Sequence, residues 1–288
     1  MRTLVMTPQM VILFIFVMFA LAEAINGKLF HKQNEVSSDG IVELISTITL
    51  FGVTQPLILL TVAWLFDVFA PELHNSLIGV AIPVQILCLL IFDDMAQYWW
   101  HRAAHNSRFL YHLHRAHHNA KYMSVRIVYR NNVFFYLIMP SIWFSGVMVY
   151  LGFGWVYAGY LVVKLTVIIG AHADWRWDQF LYKYPKLAPL TWIIERTIST
   201  PSTHSAHHGL TNEDGITNYK GNFGNLLFFW DVLFGTAKIS RQYPKMYGIE
   251  GMKKAEWAEQ LFWPLIKPVK NSTLQQTDCI EKMKKQKN

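Results

Sequence analysis

Four long apolar blocks constrain this chain of 288 residues more than anything else in it. A helix that crosses a bilayer needs about 20 mostly apolar residues. Residues 4–24, 41–69, 76–100 and 133–171 each meet that requirement. The first has Glu23 as its only acid and is longer than a secretory signal core, so it reads as a retained anchor. The second is broken by Pro56, and the third runs into Tyr98-Trp99-Trp100. The fourth has Lys164 as its only charge, and its length suits either two spans turning near 151–154 or a hairpin that dips in and returns. Only 16% of the chain is charged, against about a quarter in a soluble domain. That balance excludes intrinsic disorder, which needs low hydrophobicity and high charge. The expectation is an all-α fold: an integral membrane helical bundle of about four to five spans or hairpins.

The charges suggest an orientation. Between His101 and Arg130 there are six Lys or Arg and no Asp or Glu, whereas the turn 70–75 has no Lys or Arg. Residues 172–288 carry sixteen Lys or Arg against eleven Asp or Glu. The positive-inside rule places 101–130 and 172–288 on the cytoplasmic face and 70–75 opposite. The net charge of +7 then reads as topology and contact with anionic headgroups. No basic helix with base-reading side chains appears, so nucleic acid is not an expected partner. Asn271-Ser272-Thr273 fits a glycosylation acceptor that the cytoplasmic face would leave unused. The last fifteen residues read as a solvated tail.

Two distant cysteines, Cys88 and Cys279, make neither a disulfide framework nor a cysteine metal site. The twelve histidines are another matter. His101 and His105 form an HxxxH box. His114, His117 and His118 form an HxxHH box, and His204, His207 and His208 form another. His172 sits where the fourth apolar block ends. On a helix, positions i, i+3 and i+4 share a face, so each box can present imidazoles to one metal. The adjacent pair in HxxHH diverges by about 100°, which lets neighbours serve two metals. Imidazole alone does not name the metal. Structural zinc favours four ligands, often with cysteine, and eight or nine histidines exceed that. A redox di-metal centre on a cytoplasmic helical cap fits better. The eight box histidines are the candidate catalytic residues, and His172 joins them as a metal ligand. Asp94, Tyr98, His101 and His105 lie on one helical stripe, so Asp94, or Asp93 beside it, is placed to orient a ligating ring. His31 and His74 read as ordinary surface residues, and His112 breaks the box spacing. The aromatic residues around 98–100 and 155–160 read as interfacial belts.

These boxes, in this order, resemble the fatty acid hydroxylase superfamily and, within it, the sterol desaturase-like branch. The stretch Asp94 to His105 is similar to the first box of that family with its leading acid and aromatics, and 109–118 to the second. Thr200-Pro201-Ser-Thr-His204-Ser-Ala-His207-His208 resembles the third, and Asn218-Tyr219, Gly221 and 230–236 resemble the closing motif. The resemblance covers roughly 85–240. It implies two irons, dioxygen as co-substrate, and electrons from NAD(P)H through a separate protein of the cytochrome or ferredoxin type and its reductase. The chain has no dinucleotide-binding Gly-rich turn of its own. Two departures stand out. Asp174 replaces the asparagine that often follows the isolated histidine, which makes it a second supporting acid to consider, and Arg176 stands where some relatives add a histidine.

The resulting expectation is a lipid monooxygenase or desaturase acting on a sterol, fatty acyl, ether lipid or isoprenoid, in a bacterial inner membrane or the endoplasmic reticulum. Residues 1–84 would be anchor helices, 85–240 the catalytic domain and 241–288 a cytoplasmic tail. A zinc hydrolase acting on a lipid is the first alternative, though such sites usually mix carboxylates with histidines. A membrane transporter or metal-binding scaffold is the second, though it should carry ionisable residues in mid-span.

Overall fold

The computed structural model describes residues 7–30, 34–252 and 255–267. His31, Cys279, 271–273 and, of the expected tail 241–288, residues 253–254 and 268–288 lie outside the described residues. Among those described, the fold is all helical, with no β-strand. Three helices are long and apolar enough to cross a membrane: α1 (Pro8–Ile25), α2 (Asp39–Phe69) and the kinked helix Pro140–His172. A further helix, α3, runs over 82–106 with a π-helical turn at 90–95 and delivers the first histidine box. Outward faces expose Leu13, Phe14, Leu60, Trp64 and Val163, as a lipid-facing surface requires.

The kink in Pro140–His172 resolves how the fourth apolar block is used. Its arms, α4 (Pro140–Met148) and α5 (Gly154–His172), meet at Gly152, where φ is 111°. A side chain there would also press on the Ile78 backbone at 3.0 Å, so glycine satisfies both demands. At 1.5 Å per residue, α5 rises about 28 Å, enough to cross, whereas α4 rises only about 14 Å. By length the block is one helix able to cross and one arm of about half that length. At its turn Tyr150 and Leu151 offer carbonyls to the Asn75 and Leu77 N–H groups (3.0 and 2.9 Å). The loop after α2 and the turn after α4 therefore close the same end, and the histidines gather at the other.

Three π-helical turns interrupt these spans, at 50–54, 90–95 and 149–153. Such widened turns re-aim side chains and recur at functional sites. The one at 90–95 carries Asp93 and Asp94, whose directions it separates.

The cap is knitted by buried ion pairs. Arg115 pairs with Glu259, Arg126 with Glu35 and Glu43, and Arg130 with Asp39 at 2.9 Å. Half of the acid-free cluster 101–130 is thus turned inward, and the sequence expectation that it faces headgroups holds at most for the remainder. Glu23, fully buried at the end of α1, accepts from the Ser124 hydroxyl and from the N–H groups of Val125 and Asp174. After 240 the chain folds back: Trp257–Phe262 packs against α2 and the second histidine box, and Gln260 accepts from Asn119 and Arg130.

Candidate metal centre

Each box rides on an element whose start is chemically marked. Arg108–His118 opens on Ser107, whose hydroxyl accepts from Leu110 N–H. The helix Pro201–His207 opens on a capping box in which Thr200 and Thr203 exchange side-chain and backbone hydrogen bonds, with Pro201 at its first position. This is the structural reason for the Thr-Pro lead. His101 and His105 lie one turn apart near the end of α3, and His172 ends α5.

The structure brings all nine predicted histidines together in two nests. His101, His105, His114, His118 and His207 form the first, and His117, His172, His204 and His208 the second. The expected divergence of neighbours is what separates them. His117 and His118 face different nests with their rings 89° apart, and His207 and His208 do the same at 86°. The nests abut, with His118 stacked on His208 at 4.4 Å between centroids. Every member is buried except His105, which is half-buried. His112 belongs to neither nest; its Nδ1 meets the Arg108 carbonyl and its ring stacks on Trp263. His74 sits at the opposite end beside Tyr150.

The outward nitrogens are fixed by acceptors. Nδ1 of His101 donates to the Phe223 carbonyl (2.7 Å), that of His207 to Gly221 (2.8 Å) and that of His117 to Ile127 (3.1 Å). His172 Nδ1 donates to Ile168 (2.8 Å), and His114 Nδ1 to Asn131 Oδ1 (2.9 Å). A carbonyl only accepts, so in these rings the proton sits on Nδ1. Burial then keeps the rings neutral. It pushes His101 down to about 4 and drives His114, His117 and His207 well below 6.5, their mutual repulsion adding to the effect. Each inward Nε2 is consequently a bare lone pair. Yet Nε2 of His101 lies 3.0 Å from that of His207, and Nε2 of His117 lies 3.4 Å from that of His172.

Lone pairs at such distances repel unless a cation lies between them. The spacing also matches a coordination sphere. With metal–nitrogen bonds of about 2.0–2.1 Å, ligands at right angles are about 3.0 Å apart and tetrahedral ones about 3.4 Å. The donor set is imidazole throughout, with no carboxylate in either nest. It fits two transition-metal ions, each with a full set of neutral nitrogen ligands.

The supporting residues differ from expectation. Asp94 does not bond a histidine: it accepts from Trp230 Nε1 (2.7 Å) and Leu227 N–H (3.2 Å) of the closing segment. Asp174 pairs with Arg176 and gives its N–H to Glu23, while His172 finds its acceptor within its own helix. The work falls instead to carbonyls, which leave no trace in a sequence, and to Asn131. Asp231 holds the loop that supplies two of them, accepting from Phe223 N–H (2.8 Å), Gly224 N–H (2.6 Å) and the Thr236 hydroxyl (2.6 Å). Gly221 has to be glycine, since a Cβ there would lie 2.2 Å from the Thr236 carbonyl.

A slot of about 100 Å³ opens from the nests between the spans. His101, His114, His117 and His172 close one end, and Phe51, Phe135, Met139 and Leu161 line the walls.

Residues 86–236, just over half of the chain, match the protein-family model described as fatty acid hydroxylase. Searches of curated proteins and of solved structures return no match.

Proposed function

The chain belongs to the fatty acid hydroxylase family, and from that premise we propose that it is a membrane-bound di-iron oxidoreductase, of the sterol desaturase-like branch, that uses dioxygen to hydroxylate or desaturate a C–H bond of a lipid. The observation that carries this reading is the facing of bare Nε2 lone pairs in two buried all-imidazole nests. One iron would be held by His101, His105, His114, His118 and His207, the other by His117, His172, His204 and His208. Bound there, the iron pair supplies the reduction of dioxygen and the attack on an unactivated C–H bond.

The chain itself supplies position and dryness. The Nδ1 acceptors fix the tautomer and tilt of five of the nine rings. The apolar slot admits a hydrocarbon chain from the bilayer and excludes bulk water from the carbon presented to the nests. Electrons would come from NAD(P)H through a separate cytochrome or ferredoxin and its reductase. Half-buried His105 marks the side on which the centre comes nearest to solvent. The basic segments around the cap support a cytoplasmic placement of that side.

The test is elemental analysis of the purified protein, oxygen uptake with a reductase system, and lipid profiling of cells with and without the gene. The expected result is about two irons per chain, reductant-dependent oxygen uptake and one lipid product that disappears with the gene. Zinc-loaded protein that hydrolyses a lipid ester or amide, with no oxygen uptake when iron is supplied, would overturn the assignment.

A further inference from the structure

The slot is apolar in its walls but not along its length. Between the apolar helices Asp93 on α3 and Lys164 on α5 form a buried ion pair, with side chains 6% and 7% exposed, and the Tyr160 hydroxyl donates to the same carboxylate at 2.7 Å. Both charged residues line the slot. Each lies eight residues before a histidine of the nests, Asp93 before His101 and Lys164 before His172, which is about 12 Å of helix. Ionisable groups inside a membrane are costly and characteristically face a cavity that uses them.

A second observation is independent of that pair. Four residues that line the same slot each carry a buried polar atom without any hydrogen-bond partner: Gln97 (Oε1), Ser141 (Oγ), Trp100 (Nε1) and Tyr129 (hydroxyl). Ser141 is 1% exposed and Tyr129 8%. Each orphan of this kind destabilises the fold, and four in one slot are hard to account for as packing. Gln97 lies one turn from His101 and one turn from Asp93, so the polar groups continue between the ion pair and the nests. Gln97 Oε1 needs a donor, and Trp100 Nε1 needs an acceptor. Ser141 and Tyr129 serve either way. A hydroxyl both donates and accepts, and it adds no charge to a neutral ion pair.

We propose that the slot is a subsite for a lipid alcohol, whose hydroxyl is held between Gln97, Ser141 and the Asp93–Lys164 pair, about 6 to 12 Å from the histidine nests. The inference rests on the proposed function in that this hydroxyl would set which carbon reaches the centre. A slot of about 100 Å³ accommodates a section of a single chain, since a cavity of about 150 Å³ is filled by one benzene ring.

The full chain in detergent, stripped of metal, is titrated with hexadecanol and with hexadecane. Binding is followed by the fluorescence of Trp100 and by the shift in melting temperature. Hexadecanol should bind at least about tenfold more tightly than hexadecane. Gln97→Leu and Ser141→Ala should each reduce that preference by about fivefold, the yield of one hydrogen bond. Gln97 Oε1 and Ser141 Oγ have no protein partner, so both variants should fold. Trp100→Phe, which removes the reporter, identifies the source of the fluorescence change. Equal binding of the two ligands, or a preference that survives both substitutions, overturns the subsite. Because metal-free protein is used, that failure is separate from failure of the oxygenase reading, which iron content and oxygen uptake report.

Discussion

Replacing Asp231 by asparagine probes whether the loop behind the first nest controls its affinity for metal. The Asp231 carboxylate is fully buried and accepts three hydrogen bonds, from Phe223 N–H, Gly224 N–H and the Thr236 hydroxyl. The Phe223 carbonyl in turn holds His101 Nδ1 at 2.7 Å. Asparagine keeps the shape but offers one acceptor oxygen, so its amide N–H₂ has to face at least one of those donors. A lost charge-assisted bond costs about 1.5–3 kcal/mol and an orphaned buried donor about 1–3 kcal/mol. The two overlap, which leaves about 2–4 kcal/mol. For a chain of this size that lowers the melting temperature by about 5–15 °C. Partners that orient a ligating ring are worth about 10–100-fold in metal affinity, so iron should transfer to a competing chelator that much more readily. Thermal melts and chelator competition measure both effects. Asp214→Asn is the control, because Asp214 is itself exposed and its hydrogen bonds stay within the turn 214–217, with none to a nest histidine or its acceptor. If Asp231→Asn retains iron as tightly as the Asp214 variant, the closing motif does not orient His101 and the reasoning fails.

Three further outcomes are expected. His204→Ala and His207→Ala, one from each nest, should each lower iron by about one ion or more per chain in elemental analysis, and two irons retained in either variant would exclude ligation by that ring. The His101 pKa falls from 6.5 to about 4 on folding, so between those values the unfolded chain binds a proton that the folded one does not. Stability of metal-stripped protein should accordingly decline as pH drops from 6.5 toward 4, and a melting temperature flat across that window would contradict the neutral-ring assignment. Glu259→Ala strands the buried Arg115 guanidinium at a cost of about 3–5 kcal/mol, and an unchanged melt would show that the pair holds nothing in place.

The nests were legible in the sequence because helical spacing converts directly into direction. The same 100° step that separates His117 from His118 sends them to different nests. The identity of the supporting groups was not legible, for a physical reason. Carbonyl oxygens of Phe223, Gly221 and Ile127 come from loops whose course depends on tertiary packing, and any residue type supplies the same carbonyl. Asp94 does share a stripe with Tyr98 and His101, since all three bond the closing segment 223–236, but seven residues, about 10 Å of helix, keep its carboxylate from the His101 ring. The ion pair in mid-slot was half visible: Lys164 stood out as a lone charge, but its partner comes from a helix 71 residues away in sequence. The helical spans themselves followed from hydropathy, and the shorter arm required the left-handed turn at Gly152.

The acid-free stretch 101–130 has a consequence for the order in which the molecule is made. Arg126 and Arg130 meet acids from residues 35–43, which leave the ribosome first, but Arg115 waits for Glu259, and Arg130 and Asn132 wait for Gln260. Until those residues emerge, the helix bearing His114, His117 and His118 carries a guanidinium with no counter-charge and cannot bury it. The second box is therefore locked only when synthesis has passed every histidine in the chain. The C-terminal segment acts as a latch, and a chain released early lacks it.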